Sequence, residues 1–271
     1  MKSGDPPLVE HILPGALKDL PEIRRVVGKR KPAFFVDLDG TLAPLASRPD
    51  LAQVPPKTRG LLASLAQDHV VCVASGRGLV DLRRRVGLAT IFYAADHGYR
   101  ILGPEGSGVE LEVGPEDRQQ LEAASYELER RLRYITGVVV EAKGVSLAVH
   151  YRLVPESMWP QVSKAVEEVT EASPELRLTA GKLVHELMPA FRWDKGRAMM
   201  WLLKRLRLGR REVCPICLGD DLTDENMFVA AGDWGVTVAV GEPQADTHAR
   251  WRLADWQEVA VFLEAFTVRS G

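Results

Sequence analysis

The stretch Phe34-Phe35-Val36-Asp37-Leu38-Asp39-Gly40-Thr41 constrains this chain more than any other. An apolar run stops abruptly at two carboxylates two residues apart, followed by glycine and threonine. A short apolar run bounded by a glycine turn predicts a strand covered on both faces. The end of such a strand is where open α/β sheets place their ligands. The i, i+2 spacing sends both aspartates to one side while strand geometry persists. Two like charges about 4 Å apart repel by roughly 4 kcal/mol at an effective dielectric near 20, so a cation is expected between them. Read alone, the same residues also suit an Asx turn whose carboxylates cap backbone amides.

The surrounding pattern decides between these readings. From Pro32 short apolar runs alternate with amphipathic ones: a strand at Ala33–Val36, a helix at Pro56–Gln67, a strand at Val70–Ala74, a helix at Leu79–Val86 and a strand at Ile91–Ala95. This alternation predicts a doubly wound, Rossmann-like α/β core with a parallel sheet and right-handed crossovers. Between 109 and 188 the rhythm changes. A helix at Glu116–Tyr134 precedes strands Val138–Glu141 and Val145–Tyr151, joined through Ala142-Lys143-Gly144. A helix at Glu156–Ala172 then precedes strands Leu176–Thr179 and Leu183–Leu187, joined through Ala180-Gly181-Lys182. Strands joined by glycine turns read as antiparallel hairpins, so an αββαββ unit of α+β type is expected inside the parallel one. The parallel rhythm resumes with a helix at Lys195–Leu206, a strand at Glu212–Leu218, a helix over 225–231 and a strand at Val236–Val240. The expected organisation is an N-terminal extension (1–31), a core from 32–108 and 189–271, and an inserted domain at 109–188.

Composition narrows the classes. A formal net charge of -2 over 271 residues gives no reason to expect nucleic acid as a partner. No run reaches the roughly 18 apolar residues of a spanning helix, and the N-terminus lacks a leader pattern, so a cytoplasmic, membrane-free protein is expected, acting as a monomer on a small molecule. Cys72, Cys214 and Cys217 make no disulfide framework; Cys214 and Cys217, three apart on a predicted strand, fall on opposite faces and read as core. Trp201, Trp234 and Trp251 read as core too.

The polar groups recur where predicted parallel strands end: Asp37 and Asp39, then Ser75, then Asp220, Asp221 and Asp224. Each has a bland alternative, since Ser75, Asp221 and Thr223 suit helix caps and a lone Lys195 reads as a solvated lysine. Together, carboxylates, a lysine and a hydroxyl at converging strand ends match Mg²⁺ chemistry on a phosphate, with an aspartate as nucleophile.

These residues resemble a known group. Asp37-Leu38-Asp39-Gly40-Thr41, Ser75, Lys195 and Gly219-Asp220-Asp221-Leu222-Thr223-Asp224 are similar to the four ordered motifs of the haloacid dehalogenase superfamily of phosphatases. The resemblance implies Asp37 as nucleophile and Mg²⁺ ligand, Asp39 as general acid/base with its carbonyl on the metal, Ser75 and Lys195 on the phosphoryl oxygens, and Asp220 and Asp224 completing the metal set. Glu141 to Arg152, His185-Glu186-Leu187-Met188-Pro189 and Trp193-Asp194-Lys195-Gly196 further resemble trehalose-6-phosphate phosphatases, in which the insert is a cap closing over the sugar. That resemblance implies Lys143, Glu186, Arg152 and, from the core, His97, Gly40 and Arg77 as substrate-binding residues. Other sugar phosphates (sucrose 6-phosphate, mannosyl-3-phosphoglycerate, glucosylglycerol phosphate) and a non-catalytic phosphosugar sensor stay open. His150 and His185, in apolar alternation, read by themselves as structural histidines, though the resemblance also offers His150 as a sugar contact.

Overall fold

The structure is a computed structural model that describes residues 13–44, 53–114, 117–142, 145–181, 183–190 and 193–267; Lys143, expected on the sugar, lies outside the described residues. Three central strands, β1 (Lys31–Val36), β10 (Val213–Gly219) and β11 (Val236–Val240), belong to a large sheet that also holds β2 (Val70–Ala74), β3 (Phe92–Ala95), β4 (Arg100–Leu102), β5 (Glu110–Glu112) and β12 (Trp251–Leu253). Among the described residues its order is β12-β11-β10-β1-β2-β3-β4-β5. All seven residues of β10 and all five of β11 are buried, which is why these segments read as unbroken apolar runs instead of alternating ones. Alternate side chains serve opposite layers. Phe34, Val36, Val71, Val73, Ile216 and Leu218 join one apolar cluster, and Ala33, Phe35, Cys72, Ala74 and Cys217 the other. Cys214 and Cys217 fall one in each, as their odd offset predicts.

The first layer is closed by α1 (Leu20–Val27), α2 (Pro56–Leu65), α3 (Leu79–Val86) and α8 (Trp256–Glu264), and the second by α6 (Lys195–Arg205) and α7 (Glu225–Ala231). Crossovers to both faces make the sheet doubly wound, as expected. Three parts of the expectation are corrected. The sheet is not purely parallel, since β3–β4 and β4–β5 pair antiparallel; β4 and β5 span three residues each, too short for a periodicity signal. Because β5 belongs to the large sheet, the core extends past 108, and Pro189, expected to open the second core piece, pairs with Leu176 in the small sheet. Finally, residues 13–30 are no appendage: Ile23 and Val27 of α1 enter the core, and Pro14 and Ala16 exchange backbone hydrogen bonds with Arg252.

The segment between β5 and α6 forms its own αββαββ layer pair: α4 (Asp117–Leu132), β6 (Val139–Ala142), β7 (Leu147–His150), α5 (Trp159–Glu171), β8 (Leu176–Gly181) and β9 (Val184–Pro189). The four strands pair antiparallel in the order β6-β7-β9-β8. Leu147, Val149 and Leu187 face Leu121, Leu128, Val162 and Val166 of the two helices in a third cluster. His185 points to the same side, where Ser163 Oγ lies 2.9 Å from its Nε2 and the Tyr151 ring stacks on it at 4.9 Å, so it is a structural histidine. Among the described residues, no helix is long and apolar enough to cross a membrane.

Candidate active site

Strand register gathers the site. Val36 of β1 pairs with Val73 of β2 and with Leu218 of β10. Asp37, Ser75 and Asp220 therefore emerge one or two residues later at the same edge of the sheet. The Asp37 amide still donates to the Leu218 carbonyl at 3.0 Å, which ties the nucleophile candidate to β10. The chain then turns at Gly40, whose φ of +90° suits glycine, and a Cβ there would collide with the Asp220 carboxylate.

At the centre sits Lys195, the first residue of α6 and only 3% exposed. Its Nζ donates to Asp37 Oδ1 and to Asp224 Oδ1, both at 2.7 Å. The bland expectation of a solvated lysine is overturned, because a buried ammonium survives only when paired. The Asp224 carboxylate, fully buried, also accepts the amides of Asp220 and Asp221 through Oδ2; it ties the β10 loop to the lysine. Asp220 Oδ1 accepts from the Thr41 hydroxyl at 3.0 Å. Oxygens of Asp37, Asp220 and Asp224 lie within 4.8 Å of one another. Three carboxylate oxygens facing one ammonium leave negative charge in excess, and this all-oxygen donor set fits a hard divalent cation.

The electrostatics register the excess. Burial pushes the Asp37 carboxyl well above the usual carboxylate range, opposed by Lys195 and reinforced by Asp224 and Asp220. Burial likewise raises Asp224 and lifts Asp220 to about 6, with the Thr41 hydrogen bond opposing and Asp224 and Asp221 adding. Burial alone would lower Lys195, yet Asp37 and Asp224 hold it protonated, well above an ordinary lysine.

Asp39 points elsewhere. Both its carboxylate oxygens accept from Arg77, from Nε and Nη2 at 2.6 Å each. Ser75, 2% exposed, accepts the Arg77 amide at 3.2 Å through Oγ, the geometry of a local turn. Asp221 also behaves as a turn residue, accepting the amide and hydroxyl of Thr223. Asp96 and His97 adopt φ of +53° and +55°, a conformation costly for side-chain-bearing residues and concentrated at functional sites. The His97 ring occupies the space that a side chain at position 76 would fill.

Asp37, Asp39, Ser75, Arg77, His97, Lys195 and Asp220 all line one cleft of about 1130 Å³, together with Glu141 and Ala142 from β6 of the small sheet. Of the other expected substrate residues, Gly40 borders a smaller adjoining pocket beside Asp220. Glu186 lies on β9, its Oε1 held at 2.7 Å by Ser146 Oγ, and Arg152 is an exposed turn residue; neither lines the cleft. Sequence reasoning missed Arg100, which joins the cleft to a pocket of about 520 Å³ under α4. Its signal was position alone, two residues after His97-Gly98. It also missed Asp81, reached only through the folded turn of α3.

A carboxylate and lysine cluster at the carboxyl edge of a doubly wound sheet, with an αββαββ insert reaching over it, is the haloacid dehalogenase arrangement. A family model described as trehalose-phosphatase matches residues 35–256, and the chain belongs to that family. Trehalose-phosphate phosphatase of Mycobacterium tuberculosis is 39% identical over 229 residues, covering 84% of this chain and 58% of the relative. Trehalose-phosphate phosphatase B of Arabidopsis thaliana is 32% identical over 262 residues, covering 93% and 70%. The structure of Aspergillus fumigatus trehalose-6-phosphate phosphatase superposes with a TM-score of 0.72 at 26% identity, covering 94% of this chain and 99% of the other. The chain thus spans little more than half the length of the mycobacterial relatives.

Proposed function

We propose that this chain hydrolyses trehalose 6-phosphate to trehalose and inorganic phosphate through a phosphorylated Asp37. The observation that carries the reading is the buried triad of Asp37, Lys195 and Asp224 beside Asp220. A binding module would have no use for three carboxylates crowded around one buried lysine, with negative charge left in excess. Family membership directs the substrate assignment toward trehalose 6-phosphate.

Asp37, Asp220 and Asp224, with the Asp39 carbonyl, would hold Mg²⁺. When bound, the ion neutralises carboxylate and phosphate charge that would otherwise repel. Lys195 keeps one Asp37 oxygen oriented, which leaves the other to attack phosphorus, and Ser75 and Lys195 hold phosphoryl oxygens. Asp39 gives a proton to the departing sugar oxygen and later takes one from the attacking water. Glu186, Arg152, Lys143 and His97 would read the sugar from the insert and the core, with the insert acting as a cap. Since Glu186 and Arg152 do not line the cleft, the cap has to move toward the core for them to take part.

The test is phosphate release across a panel of sugar phosphates, with and without chelator. Trehalose 6-phosphate should be the preferred substrate and chelator should stop turnover. Preference for sucrose 6-phosphate or another sugar phosphate would overturn the substrate assignment; no release from any of them would overturn the chemistry.

A further inference from the structure

Arg77 does not stand alone at the cleft. Its Nη1 donates to Asp81 Oδ2 at 3.0 Å while Nε and Nη2 grip Asp39. Asp81, on the first turn of α3, also accepts from Arg85 Nε at 2.6 Å and from Arg84 Nη2 at 2.7 Å. The Arg85 side chain is 5% exposed, the Arg77 side chain 17%. The result is a chain of charge-assisted hydrogen bonds, Arg85 to Asp81 to Arg77 to Asp39, anchored in the α3 layer and ending on the carboxylate beside the nucleophile. A bidentate guanidinium fixes both position and plane of a carboxylate. Helix-surface ion pairs alone would not need Arg77 to turn away from α3 and chelate a residue of the β1 loop.

We infer that Arg77 and Asp81 are positioning residues that hold Asp39 as the base for the second half of the reaction. This rests on the function proposed above. In that half-reaction the water oxygen bonds to phosphorus, a water proton passes to an Asp39 oxygen, the bond from phosphorus to Asp37 breaks, and phosphate leaves with Asp37 restored. An ionised carboxylate held in one orientation is what the step requires. Asp81 borders the same cleft, but its carboxylate accepts from Arg77, Arg84 and Arg85, so it acts on Asp39 through Arg77. Arg77 would thus not be a substrate ligand of the ordinary kind.

The experiment is stopped-flow and steady-state kinetics of the Mg²⁺-loaded enzyme with p-nitrophenyl phosphate and trehalose 6-phosphate, for wild type, Asp81→Asn, Arg77→Ala and Arg77→Lys. General-base catalysis contributes about 10²–10⁴-fold, and losing the orientation alone should lower kcat by roughly 10–100-fold. Water attack then limits turnover. Arg77→Ala and Asp81→Asn should show a burst of nitrophenolate approaching one per enzyme, with a KM equal to or below that of wild type. Arg77→Lys, which cannot chelate, should resemble Arg77→Ala, and Asp81→Asn combined with Arg77→Ala should add little to Arg77→Ala. Melting temperatures and an intact-mass search for phosphorylated Asp37 separate this from misfolding. A raised KM with no burst would make Arg77 a phosphate ligand and overturn the inference, as would wild-type kinetics in Asp81→Asn. Failure of wild type itself to release phosphate would instead defeat the proposed function.

Discussion

Replacing Lys195 by methionine tests the electrostatic core of the site. The ammonium lies 2.7 Å from two carboxylates that are themselves almost wholly buried. At an effective dielectric near 20, each contact is worth about 6 kcal/mol before desolvation is subtracted. Removing one partner of a buried pair usually costs about 3–5 kcal/mol. Protonation sets a ceiling. A carboxylate can escape its uncompensated charge by binding a proton, at about 1.4 kcal/mol per pH unit above an unfolded pKa near 3.9. That limits the loss from one carboxylate to about 4 kcal/mol at pH 7 and about 1.5 kcal/mol at pH 5. The sign follows from linkage: Lys195 opposes the upward push of burial on Asp37 and Asp224, so without it the folded carboxylates rise further above their unfolded pKa than in wild type, and the variant loses more stability as pH rises. Urea unfolding of Lys195→Met and wild type in chelator, at pH 5, 6 and 7, should give a difference that grows with pH by about 1 kcal/mol per unit. A difference below about 1 kcal/mol that stays flat with pH would refute the argument that Lys195 neutralises the triad.

Other expectations follow from the same geometry. Asp37→Asn should abolish phosphate release while leaving the melting temperature equal or higher, because it relieves the carboxylate excess at the triad. Gly219→Ala should weaken Mg²⁺ binding, measured calorimetrically, since a Cβ there collides with the Asp224 carboxylate that holds the β10 loop. Against the cost of its partial burial, hydrogen bonds from Arg85, Arg84 and Arg77 hold Asp81 down at about 2. Its stabilisation is complete above the unfolded pKa near 3.9 and lost as pH falls toward 2. Asp81→Asn should therefore cost about 1 kcal/mol at pH 7, discounted for its exposed edge, and much less at pH 3 by urea unfolding. Burial lowers the His185 pKa, so the folded state resists protonation and stability is lost below pH 6.5; His185→Gln should flatten that acid limb in melting curves.

Much of the molecule was legible from the sequence because the relevant forces act locally. The unbroken apolar runs of β1, β10 and β11 announce strands covered on both faces, and the hairpins of the insert show in alternation and glycine turns. The nucleophile candidate follows from chain position, at the tip of a buried strand. Short strands such as β4 and β5 carry too few residues to make a period, so the antiparallel edge of the sheet and the true reach of the core were hidden. Two features depended wholly on packing. Motif resemblance singles out Lys195, but that it is buried between two carboxylates shows only once α6 packs against them. Asp81 reads as an ordinary helix-start acid until the turn before α3 brings Arg77 between it and Asp39.

Which residue types this protein would use, and at which strand ends, its sequence alone determined, since hydrophobic periodicity and charge spacing are properties of neighbours along the chain. Which of those groups meet was decided only by the register of β1 against β2 and β10, which sets distances between residues up to 187 positions apart, such as Asp37 and Asp224. Coulomb interaction depends on separation in space and on exclusion of water, and neither exists before the sheet closes.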